Sequence, residues 1–312
     1  MRVLVTGGAG FIGRHLVDSL VKEGKEVLVL DSGHCGQITR VNKKAMLIQA
    51  DIDSFKIDDF VSYLKGVSQV FHLAAQKHNT LSVSPEKMIS TNILSTYNLV
   101  LASARLNIKR FVFTSSLYAY GSLGPEIMKE KDPPMPSTLY GASKLMGENI
   151  LKLAQKQFGL SWNVARLFFI YGPGQFAGSG YKSVIVKNFE RIKNKMPVTI
   201  NGDGNQSLDY LYVQDAVEGL KLLANSKKDY KTFNISSSTA VSINELVLAM
   251  EKSFGKKINV SYEPADWTSG SCRFGDNRLM KTEFGWTPKI NLNEGLNRTW
   301  EFIKANNVSG DI

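Results

Sequence analysis

Short apolar runs alternate with longer segments of helical periodicity in the first half of the chain. The apolar runs are rich in valine, leucine and phenylalanine, which is typical of buried parallel strands. They are Val3–Thr6, Val27–Asp31, Ala45–Ala50, Gln69–Ala74, Arg110–Ser115 and Trp162–Phe168. Between them, apolar residues recur at helical spacing in Ile12–Lys22, Asn92–Leu106 and Ala142–Phe158. This order predicts successive βαβ units, and therefore an α/β fold built on a parallel sheet.

The regular alternation ends at Tyr171-Gly172-Pro173-Gly174, after which glycine and serine become frequent. The elements predicted beyond it are a helix over 183–195, a turn at Asn201-Gly202-Asp203-Gly204, a helix from Val213 and a C-terminal helix over Asn293–Lys304. We therefore predict a first domain over residues 1–172, to which some later segments return, and a smaller α+β domain over residues 173–312.

The composition is that of an ordinary globular protein, since 312 residues with 43% hydrophobic side chains can bury a large core. No apolar run approaches the roughly 18 residues that a membrane-spanning helix needs, and Met1 leads into a strand pattern without a signal segment. We therefore expect a cytoplasmic protein with no membrane partner. Cys35 and Cys272 have no metal-ligand spacing around them, so neither a disulfide framework nor a metal site is expected.

The formal net charge is +10, a property that many nucleic-acid-binding proteins share. The lysines and arginines are dispersed along the chain, however, and form no stripe interleaved with aromatic residues. We therefore expect a solvated basic surface that attracts at most a small anionic substrate, and no nucleic-acid partner.

A glycine-rich turn links the first predicted strand to the first helix, in the order Thr6-Gly7-Gly8-Ala9-Gly10-Phe11-Ile12-Gly13. In such a turn Gly7 permits the tight bend, Gly10 lets the backbone approach a pyrophosphate, and Gly13 permits close packing of helix on strand. Backbone N–H groups and the positive end of the helix then face the phosphates of a dinucleotide.

The second predicted strand ends on Asp31, about 20 residues after the glycines. A carboxylate in that place accepts hydrogen bonds from the adenosine ribose hydroxyls and repels a 2′-phosphate, which favours NAD over NADP. The order of strand, glycine turn, helix, strand and aspartate therefore predicts a Rossmann-type doubly wound parallel sheet that binds NAD.

Two further strand ends offer candidate cofactor contacts. Asp51-Ile52 follows the third strand, where a carboxylate either meets the adenine amino group or is an ordinary strand-end residue. Leu73-Ala74-Ala75-Gln76-Lys77 follows the fourth strand, and its small side chains either let the backbone pass close to the cofactor or reflect tight packing. Both pairs of alternatives stay open on the sequence alone.

A tyrosine and a lysine four residues apart open the helix that follows the fifth strand. This spacing places Tyr140 and Lys144 on one face, one turn apart. Tyrosine, with a pKa of about 10, is a poor base at neutral pH. A nearby lysine ammonium and the positive nicotinamide stabilise the phenolate and lower that pKa. Tyr140 is therefore the candidate base that deprotonates a sugar hydroxyl while a hydride passes to NAD.

Ser116 lies just past the fifth strand, at the carboxyl edge of the sheet, where open α/β folds place their ligands. Its hydroxyl can hydrogen-bond the reacting oxygen that Tyr140 deprotonates. The histidines suggest no second mechanism, because no Gly-x-Ser-x-Gly motif is present. His72, on an apolar strand, is expected to be packed.

Taken together, these motifs resemble the extended short-chain dehydrogenase/reductases, and among them the NAD-dependent nucleotide-sugar epimerase/dehydratase family typified by UDP-galactose 4-epimerase. The resemblance covers essentially the whole chain. Besides the glycine turn, Tyr140 and Lys144, it rests on Phe71-His72-Leu73-Ala74-Ala75-Gln76, Thr114-Ser115-Ser116, Tyr120-Gly121, Tyr171-Gly172-Pro173, Gly202-Asp203-Gly204 and Phe284-Gly285-Trp286-Thr287-Pro288.

The resemblance implies a set of residues that bind NAD. They are Gly7, Gly10, Phe11, Ile12, Gly13, Asp31, Ser32, Gly33, His34, Cys35, Gly36, Asp51, Ile52, Leu73, Ala74, Ala75, Gln76, Lys77, Asn92, Tyr140, Lys144 and Phe168. It also implies that Ser116 contacts the substrate, that the C-terminal part binds the nucleotide end of a nucleotide sugar, and that Asn92–Leu106 and Ala142–Phe158 form a homodimer interface.

Two departures from the family patterns fall in the half expected to bind the substrate. The family's Arg-x-Phe-Asn pattern is Arg166-Leu167-Phe168-Phe169 here, so that Phe169 replaces an asparagine amide. The Gln-x-Arg-Asp-Phe pattern is Gln206-Ser207-Leu208-Asp209-Tyr210, so that Leu208 replaces the arginine expected to clamp the diphosphate. Either the substrate is bound differently, or another cation such as Arg273 or Lys187 takes the place of this arginine.

The resemblance also narrows the reaction. Family dehydratases and decarboxylases carry acids where this chain has Ser115-Ser116-Leu117. We therefore expect a nucleotide-sugar epimerase, with C4 as the oxidised carbon, that removes and returns a hydride. The alternatives are a net NAD-dependent dehydrogenase or reductase acting on a nucleotide sugar and an inactive NAD-binding sensor.

Overall fold

The structure is a computed structural model and describes residues 1–34, 37–77, 84–121, 127–175, 183–227, 229–266 and 268–306. It divides into two compact units. Unit 1 is Met1–Ser122, Lys131–Leu167 and Val217–Phe233, and unit 2 is Leu123–Glu130, Phe168–Ala216 and Asn234–Ile312. The chain thus changes unit at Leu167–Phe168, before the predicted boundary, and a later helix returns to unit 1.

The strands are β1 (Arg2–Thr6), β2 (Glu26–Asp31), β3 (Met46–Gln49), β4 (Val67–His72), β5 (Arg110–Ser116), β6 (Trp162–Leu167), β7 (Phe169–Tyr171), β8 (Val198–Asn201), β9 (Ser207–Leu208), β10 (Tyr210–Tyr212), β11 (Lys231–Ile235), β12 (Val241–Ser242), β13 (Val260–Glu263) and β14 (Cys272–Arg273).

The helices are α1 (Phe11–Lys22), α2 (Ile57–Leu64), α3 (Pro85–Ile89), α4 (Ser95–Arg105), α5 (Leu139–Phe158), α6 (Val184–Lys193), α7 (Val213–Asn225), α8 (Ile243–Phe254), α9 (Arg278–Phe284) and α10 (Leu292–Ala305). A π turn, Ser90–Leu94, joins α3 to α4.

Unit 1 is built on a seven-stranded sheet in the order β11-β6-β5-β4-β1-β2-β3. Neighbouring strands from β1 to β6 pair in parallel. The strand order reverses at β1, between β4 and β2, and the carboxyl end of β1 carries the glycine turn. In open α/β sheets, ligands bind at such a reversal, so the topology places the cofactor turn where a ligand is expected.

Helices cover both faces of this sheet. On one face, Leu4, Val70 and Phe111 pack in a single buried cluster with Phe60 of α2 and Leu99 of α4. The opposite face meets other helices. There Asn163 of β6 donates to the Leu223 carbonyl of α7, and Gln69 of β4 donates to the Ala224 carbonyl of the same helix. The predicted doubly wound α/β fold is therefore confirmed.

The predicted elements of the first half are present with small differences at their ends. Helix α5 begins at Leu139, before the predicted start, because the side chain of Thr138 accepts a hydrogen bond from the N–H of Gly141. The predicted helix Asn92–Leu106 is interrupted by the π turn at its start. Helices α2, α3, α8 and α9 were not predicted.

Unit 2 has its own core, formed by α6, α8, α10 and small sheets ordered β10-β7, β12-β9-β14 and β13-β8. Phe189 of α6 and Phe254 of α8 both contact the ring of Trp300 on α10, with ring centroids 5.4 Å apart in each pair. Across the described residues, no helix is both long enough and apolar enough to cross a membrane.

Candidate active site

The glycine-rich turn lies at the carboxyl end of β1. Gly7 has a left-handed φ of 72°, and its N–H donates to the carbonyl of Leu30 at 2.8 Å. A Cβ on Gly7 would lie 2.7 Å from the backbone nitrogen of Ala74, and a Cβ on Gly13 would collide with the carbonyl oxygen of Gly7. On Gly10 a Cβ would meet, among described residues, only that same oxygen, at 3.2 Å. The turn itself requires Gly7 and Gly13, whereas Gly10 leaves room for a ligand.

Helix α1 begins at Phe11, and its N-cap Gly10 offers no side chain to cap it. The first N–H groups of any helix lack partners within the helix and attract anions. Those of Phe11 and Ile12 therefore suit a phosphate group, as the sequence predicted.

The Asp31 carboxylate links the glycine turn to the loop that follows β2. Its Oδ2 accepts from the N–H of Ala9 at 2.9 Å, and its Oδ1 accepts from the N–H of Gly33 at 2.8 Å. Because each carboxylate oxygen has further acceptor capacity, Asp31 can still accept from ribose hydroxyls. Ser32 and His34 follow it on the surface side, whereas Cys35 and Gly36 lie outside the described residues.

The Asp51 carboxylate is paired within the protein. Its Oδ2 lies 2.7 Å from the Nζ of Lys87, whose ammonium also contacts Asp53. Burial opposes ionisation of Asp51, but the hydrogen bonds from Lys87 and from Asp53, together with the positive charge of Lys87, outweigh burial and lower the pKa of Asp51. Ile52 is buried in the core. The adenine contact predicted for Asp51 stays a prediction, and this ion pair supports the alternative of an ordinary strand-end aspartate.

The segment after β4 passes directly beneath the glycine turn. The N–H of Leu73 donates to the Thr6 carbonyl at 3.0 Å, and the N–H of Ala74 donates to the Thr6 hydroxyl at 3.3 Å. The backbone of Ala74 lies so close to Gly7 that a side chain on Gly7 would collide with it. The approach of Ala74 and Ala75 to the cofactor stays a prediction.

Asn92, in the π turn, holds the end of this segment. Its Oδ1 accepts from the N–H of Gln76 at 2.7 Å, and its Nδ2 donates to the carbonyl of Gln76 at 2.9 Å. The same Nδ2 lies 3.0 Å from the hydroxyl of Ser143 on α5. The structure therefore places Asn92 between two candidate cofactor-binding segments, Leu73–Lys77 and the start of α5.

The three predicted catalytic residues come together in unit 1. Tyr140 lies in the first turn of α5, and the Nζ of Lys144 in the next turn is 5.8 Å from the centroid of its ring. Ser116 is the last residue of β5, and its hydroxyl is hydrogen-bonded to the Tyr140 side chain. This arrangement can hold one oxygen of a substrate between a hydroxyl and a phenol.

Lys144 is buried and oriented by the strand beside it. Its Nζ donates to the carbonyl of Thr114 at 2.9 Å and lies 5.0 Å from the centroid of the Phe113 ring. Burial, and then the positive charge of Lys77, lower the pKa of Lys144 to about 7. Burial therefore disfavours the ammonium form of Lys144 relative to an exposed lysine.

The expected lowering of the Tyr140 pKa by Lys144 is not seen in the chain by itself. Burial raises the pKa of Tyr140, Tyr118 raises it further, and the hydrogen bond to Ser116 lowers it. The physical reason is that the same burial that desolvates the phenol also removes charge from Lys144. Tyr140 is thus protonated at neutral pH until a further positive charge is brought near it.

Sequence analysis did not single out Glu148, which lies one turn beyond Lys144 on the same face of α5. Its two oxygens accept from the guanidinium of Arg166 at 2.9 and 2.7 Å, and Oε1 also accepts from the hydroxyl of Ser115 at 2.6 Å. The Arg166 guanidinium lies 4.4 Å from the centroid of the Tyr120 ring. The four-residue spacing of Tyr140, Lys144 and Glu148 was the signal that could have found this acid.

In unit 2, Leu208 of β9 and Arg273 of β14 are partners in the parallel register. Leu208 is buried in an apolar cluster that includes Ile200 and Tyr210. Arg273 is buried too, near Asp266, whereas Lys187 is exposed on α6. Arg273 therefore stands beside the position where the family pattern has its arginine.

Phe168 and Phe169 also belong to unit 2. The Phe168 ring packs against Gly275, where a Cβ would collide with it. Phe169 is the register partner of Tyr210. No metal site accompanies these residues, since within the described segments no three His, Cys, Asp or Glu side chains gather as ligands.

Comparisons with known proteins agree with this geometry. A family model described as the NAD dependent epimerase/dehydratase family matches residues 3–236. A putative UDP-glucose 4-epimerase from Methanocaldococcus jannaschii is 33% identical over 310 residues, covering 98% of this chain and 99% of that protein.

Two solved structures are similar over nearly their whole length. The UDP-glucose 4-epimerase of Thermotoga maritima with UDP-glucose has a TM-score of 0.90 and 32% identity, covering 98% of this chain and 99% of that chain. The UDP-glucose 4-epimerase of Thermus thermophilus in complex with NAD has a TM-score of 0.86 and 30% identity, covering 97% of this chain and 99% of that chain.

These matches confirm the predicted Rossmann-type fold and the predicted cofactor, NAD. They also confirm the resemblance drawn from the motifs, and with it the prediction of an NAD-dependent enzyme. The chain belongs to the NAD-dependent epimerase/dehydratase family.

Proposed function

We propose that this protein is an NAD-dependent UDP-sugar 4-epimerase. The observation that carries the proposal is the juxtaposition of Ser116, Tyr140 and Lys144 on β5 and α5, in the unit that also bears the glycine turn. The choice of UDP and of C4 is supported by the relatives described above, which are named UDP-glucose 4-epimerases.

The residues present fit NAD. The space at Gly10 and the uncapped start of α1 suit the pyrophosphate, and the remaining acceptor capacity of Asp31 suits a ribose. When bound, NAD supplies a hydride acceptor that can return the hydride to the same sugar carbon.

The proton steps fall to the chain's own residues. Tyr140 takes the proton from the C4 hydroxyl as that carbon is oxidised, and gives it back after the keto sugar has turned over. Ser116 holds the same oxygen through its hydroxyl. Lys144, anchored on the Thr114 carbonyl, stabilises the phenolate in its ammonium form.

Elimination and decarboxylation are less well supported by this site. Those reactions need an acid near the reacting carbons, and Glu148, the acid that lies beside Ser115, is held on both oxygens by Arg166. Hydride removal and return needs no residue beyond Tyr140, Ser116 and Lys144.

We assign the nucleotide end of the substrate to unit 2. Arg273 stands at the register position beside Leu208 and offers a planar guanidinium to a diphosphate. Phe169 and Leu208 have apolar side chains where the family pattern has polar ones. We therefore expect binding of the diphosphate to depend more strongly on Arg273 than it would if two arginines contacted the diphosphate.

The proposal is tested by product analysis with the purified protein and bound NAD. We expect one of UDP-glucose, UDP-N-acetylglucosamine and UDP-glucuronic acid to be converted to its C4 epimer, followed by NMR, with no net change in the cofactor redox state. If NADH accumulates in proportion to product, the protein is a net dehydrogenase. If no UDP-sugar reacts while NAD stays bound, the epimerase proposal fails.

Variants connect the reaction to the site. Tyr140→Phe is expected to lower turnover by about 10²–10⁴-fold, the usual contribution of a positioned acid–base group, and to retain NAD. Tyr230→Phe, at a partly exposed tyrosine outside the site, is the matched control and should leave turnover unchanged. Unchanged turnover in Tyr140→Phe would show that Tyr140 is not the catalytic base. If the wild type binds NAD but turns over no UDP-sugar, the alternative of an inactive NAD-binding sensor is supported.

We also propose a homodimer through α4 and α5, as the resemblance implies. Four large apolar side chains on these helices are 45–55% exposed in the single chain, namely Tyr97, Met146, Leu153 and Phe158. Such exposure is usual for surfaces that a second copy covers. Leu153→Asp should yield a monomer in analytical ultracentrifugation, whereas Leu248→Asp, at an exposed leucine of α8, should not. A monomeric wild type would contradict the proposal.

The cytoplasmic location stays a prediction.

A further inference from the structure

The buried imidazole of His72 joins three segments of unit 1. Its Nδ1 lies 2.6 Å from the hydroxyl of Thr6, the last residue of β1, and its Nε2 lies 2.8 Å from the hydroxyl of Thr96 on α4. The side chain is fully buried, and the rings of Phe111 and Phe113 flank it. Both nitrogens of this buried ring are therefore hydrogen-bonded, each to a different segment of unit 1.

The direction of these hydrogen bonds follows from the other partners of the two hydroxyls. The Thr96 hydroxyl donates its one proton to the carbonyl of Asn92 at 2.7 Å, so it must accept from His72 Nε2–H. The Thr6 hydroxyl accepts from the N–H of Ala74 at 3.3 Å and is free to donate to Nδ1. All donors and acceptors are then satisfied if His72 is neutral and carries its proton on Nε2.

The surroundings also favour the neutral form. Burial, and then the positive charge of Lys144, lower the pKa of His72 to about 3. The carbonyl of His72 accepts from the Thr114 hydroxyl at 3.0 Å, and the Thr114 carbonyl in turn accepts from Lys144. An imidazolium would lose the bond from Thr6 and would face a lysine ammonium.

The network continues from Asn92 to the helix that bears Tyr140. The Asn92 side chain holds both backbone groups of Gln76 and lies 3.0 Å from the Ser143 hydroxyl. The Ser143 hydroxyl donates to the carbonyl of Tyr140 at 2.8 Å. A continuous path of buried groups therefore leads from the residue before Gly7 to the backbone of Tyr140.

We propose that His72 is a positioning residue which, as the neutral Nε2–H tautomer, holds the glycine turn and the start of α5 in fixed register through Thr6, Thr96 and Asn92. The catalytic consequence rests on the proposed function, because Tyr140 is the group being positioned. The assignment of the His72 tautomer is independent of the proposed function. A displacement of about 1 Å between reacting groups can lower a rate by about 10²-fold, so small movements of α5 against the turn matter.

The first test is spectroscopic and independent of activity. In protein labelled with ¹⁵N-histidine, the His72 imidazole, assigned through its backbone, should show a pyrrole-type Nε2 and a pyridine-type Nδ1 at both pH 8 and pH 5. A Nδ1–H tautomer, or protonation of His72 within this range, would overturn the proposal.

The second test cuts one link without changing volume. Thr96→Val removes the hydroxyl between His72 and Asn92 and is expected to lower kcat by about tenfold or more while KM for the sugar nucleotide changes little. Thr299→Val is the matched control, because Thr299 is equally buried and its hydroxyl donates to a helical carbonyl at the same 2.7 Å. We expect its kcat to stay within about twofold of wild type.

The two tests fail in different ways. If Thr96→Val and Thr299→Val lose kcat equally, both hydroxyls have a general structural role. The proposal that His72 positions Tyr140 is then overturned. If Thr96→Val does not fold, the ¹⁵N measurement on the wild type still decides the tautomer. If the wild type turns over no UDP-sugar but shows the Nε2–H tautomer, the proposed function fails and the hydrogen-bond assignment stands.

Discussion

Leu208 and Arg273 stand opposite each other in neighbouring parallel strands of unit 2. Side chains at register partners project from the same face of a sheet. We propose that the positive charge on β14 takes the role of the one that the family pattern has on β9. This exchange makes substrate binding testable at two adjacent positions.

Arg273→Leu should weaken UDP binding by about 10–100-fold in calorimetry, since charged hydrogen bonds contribute about 1.5–3 kcal/mol. Leu208→Arg added to Arg273→Leu should recover part of that loss, because it returns a guanidinium to the same face. Arg298→Leu, at an exposed arginine of α10, is the control. Unaltered UDP affinity in Arg273→Leu would show that another group holds the diphosphate.

Gly10→Ala and Gly13→Ala should behave differently although both alter the same turn. A Cβ on Gly13 collides with the Gly7 carbonyl, so this variant should lose thermal stability without any ligand present. A Cβ on Gly10 meets little protein, so Gly10→Ala should keep its melting temperature and lose NAD affinity. Thermal shift with and without NAD measures both. Normal NAD binding by Gly10→Ala would contradict the assignment of the pyrophosphate to this space.

Lys144→Met should move the acidic limb of the pH profile of kcat/KM to higher pH by about one unit or more. Burial already raises the pKa of Tyr140, and removing a neighbouring ammonium disfavours the phenolate further. Deprotonation of Tyr140 then requires a higher pH. Lys152 is an exposed lysine two turns further along α5. Lys152→Met should therefore leave the acidic limb of the kcat/KM profile at the wild-type pH. A limb that does not move in Lys144→Met would show that Lys144 does not stabilise the phenolate.

Arg166→Met should destabilise the protein by about 3–5 kcal/mol in urea unfolding, because it leaves the buried Glu148 carboxylate without its partner. The double variant Glu148→Leu with Arg166→Met should be less destabilised than Arg166→Met alone, since no buried charge is left unpaired. Arg298→Met, in the exposed pair with Glu294, should show no measurable change. A double variant that is less stable than Arg166→Met would refute this account.

The parts of the site that could be predicted from sequence are those that depend on local spacing. The bend at Gly7, the carboxylate at the end of β2 and the one-turn separation of Tyr140 and Lys144 each follow from a few consecutive residues. Backbone conformation and helical periodicity are local properties, so one chain sequence was enough to predict them. The same holds for the alternation of strands and helices that predicted the doubly wound sheet.

Other features depend on residues far apart in the chain. Three contacts exist only because the fold brings distant segments together. They are the hydrogen bonds between Asn92 and Gln76, the ion pair of Arg166 with Glu148, and the register of Leu208 with Arg273. The pKa of Tyr140 depends on distant segments for the same reason, because burial raises it and also lowers the pKa of Lys144. The sequence by itself determined where the backbone must bend and was enough to predict which groups carry the chemistry. Only the tertiary structure decided their desolvation and their partners, since both depend on the segments that pack around them.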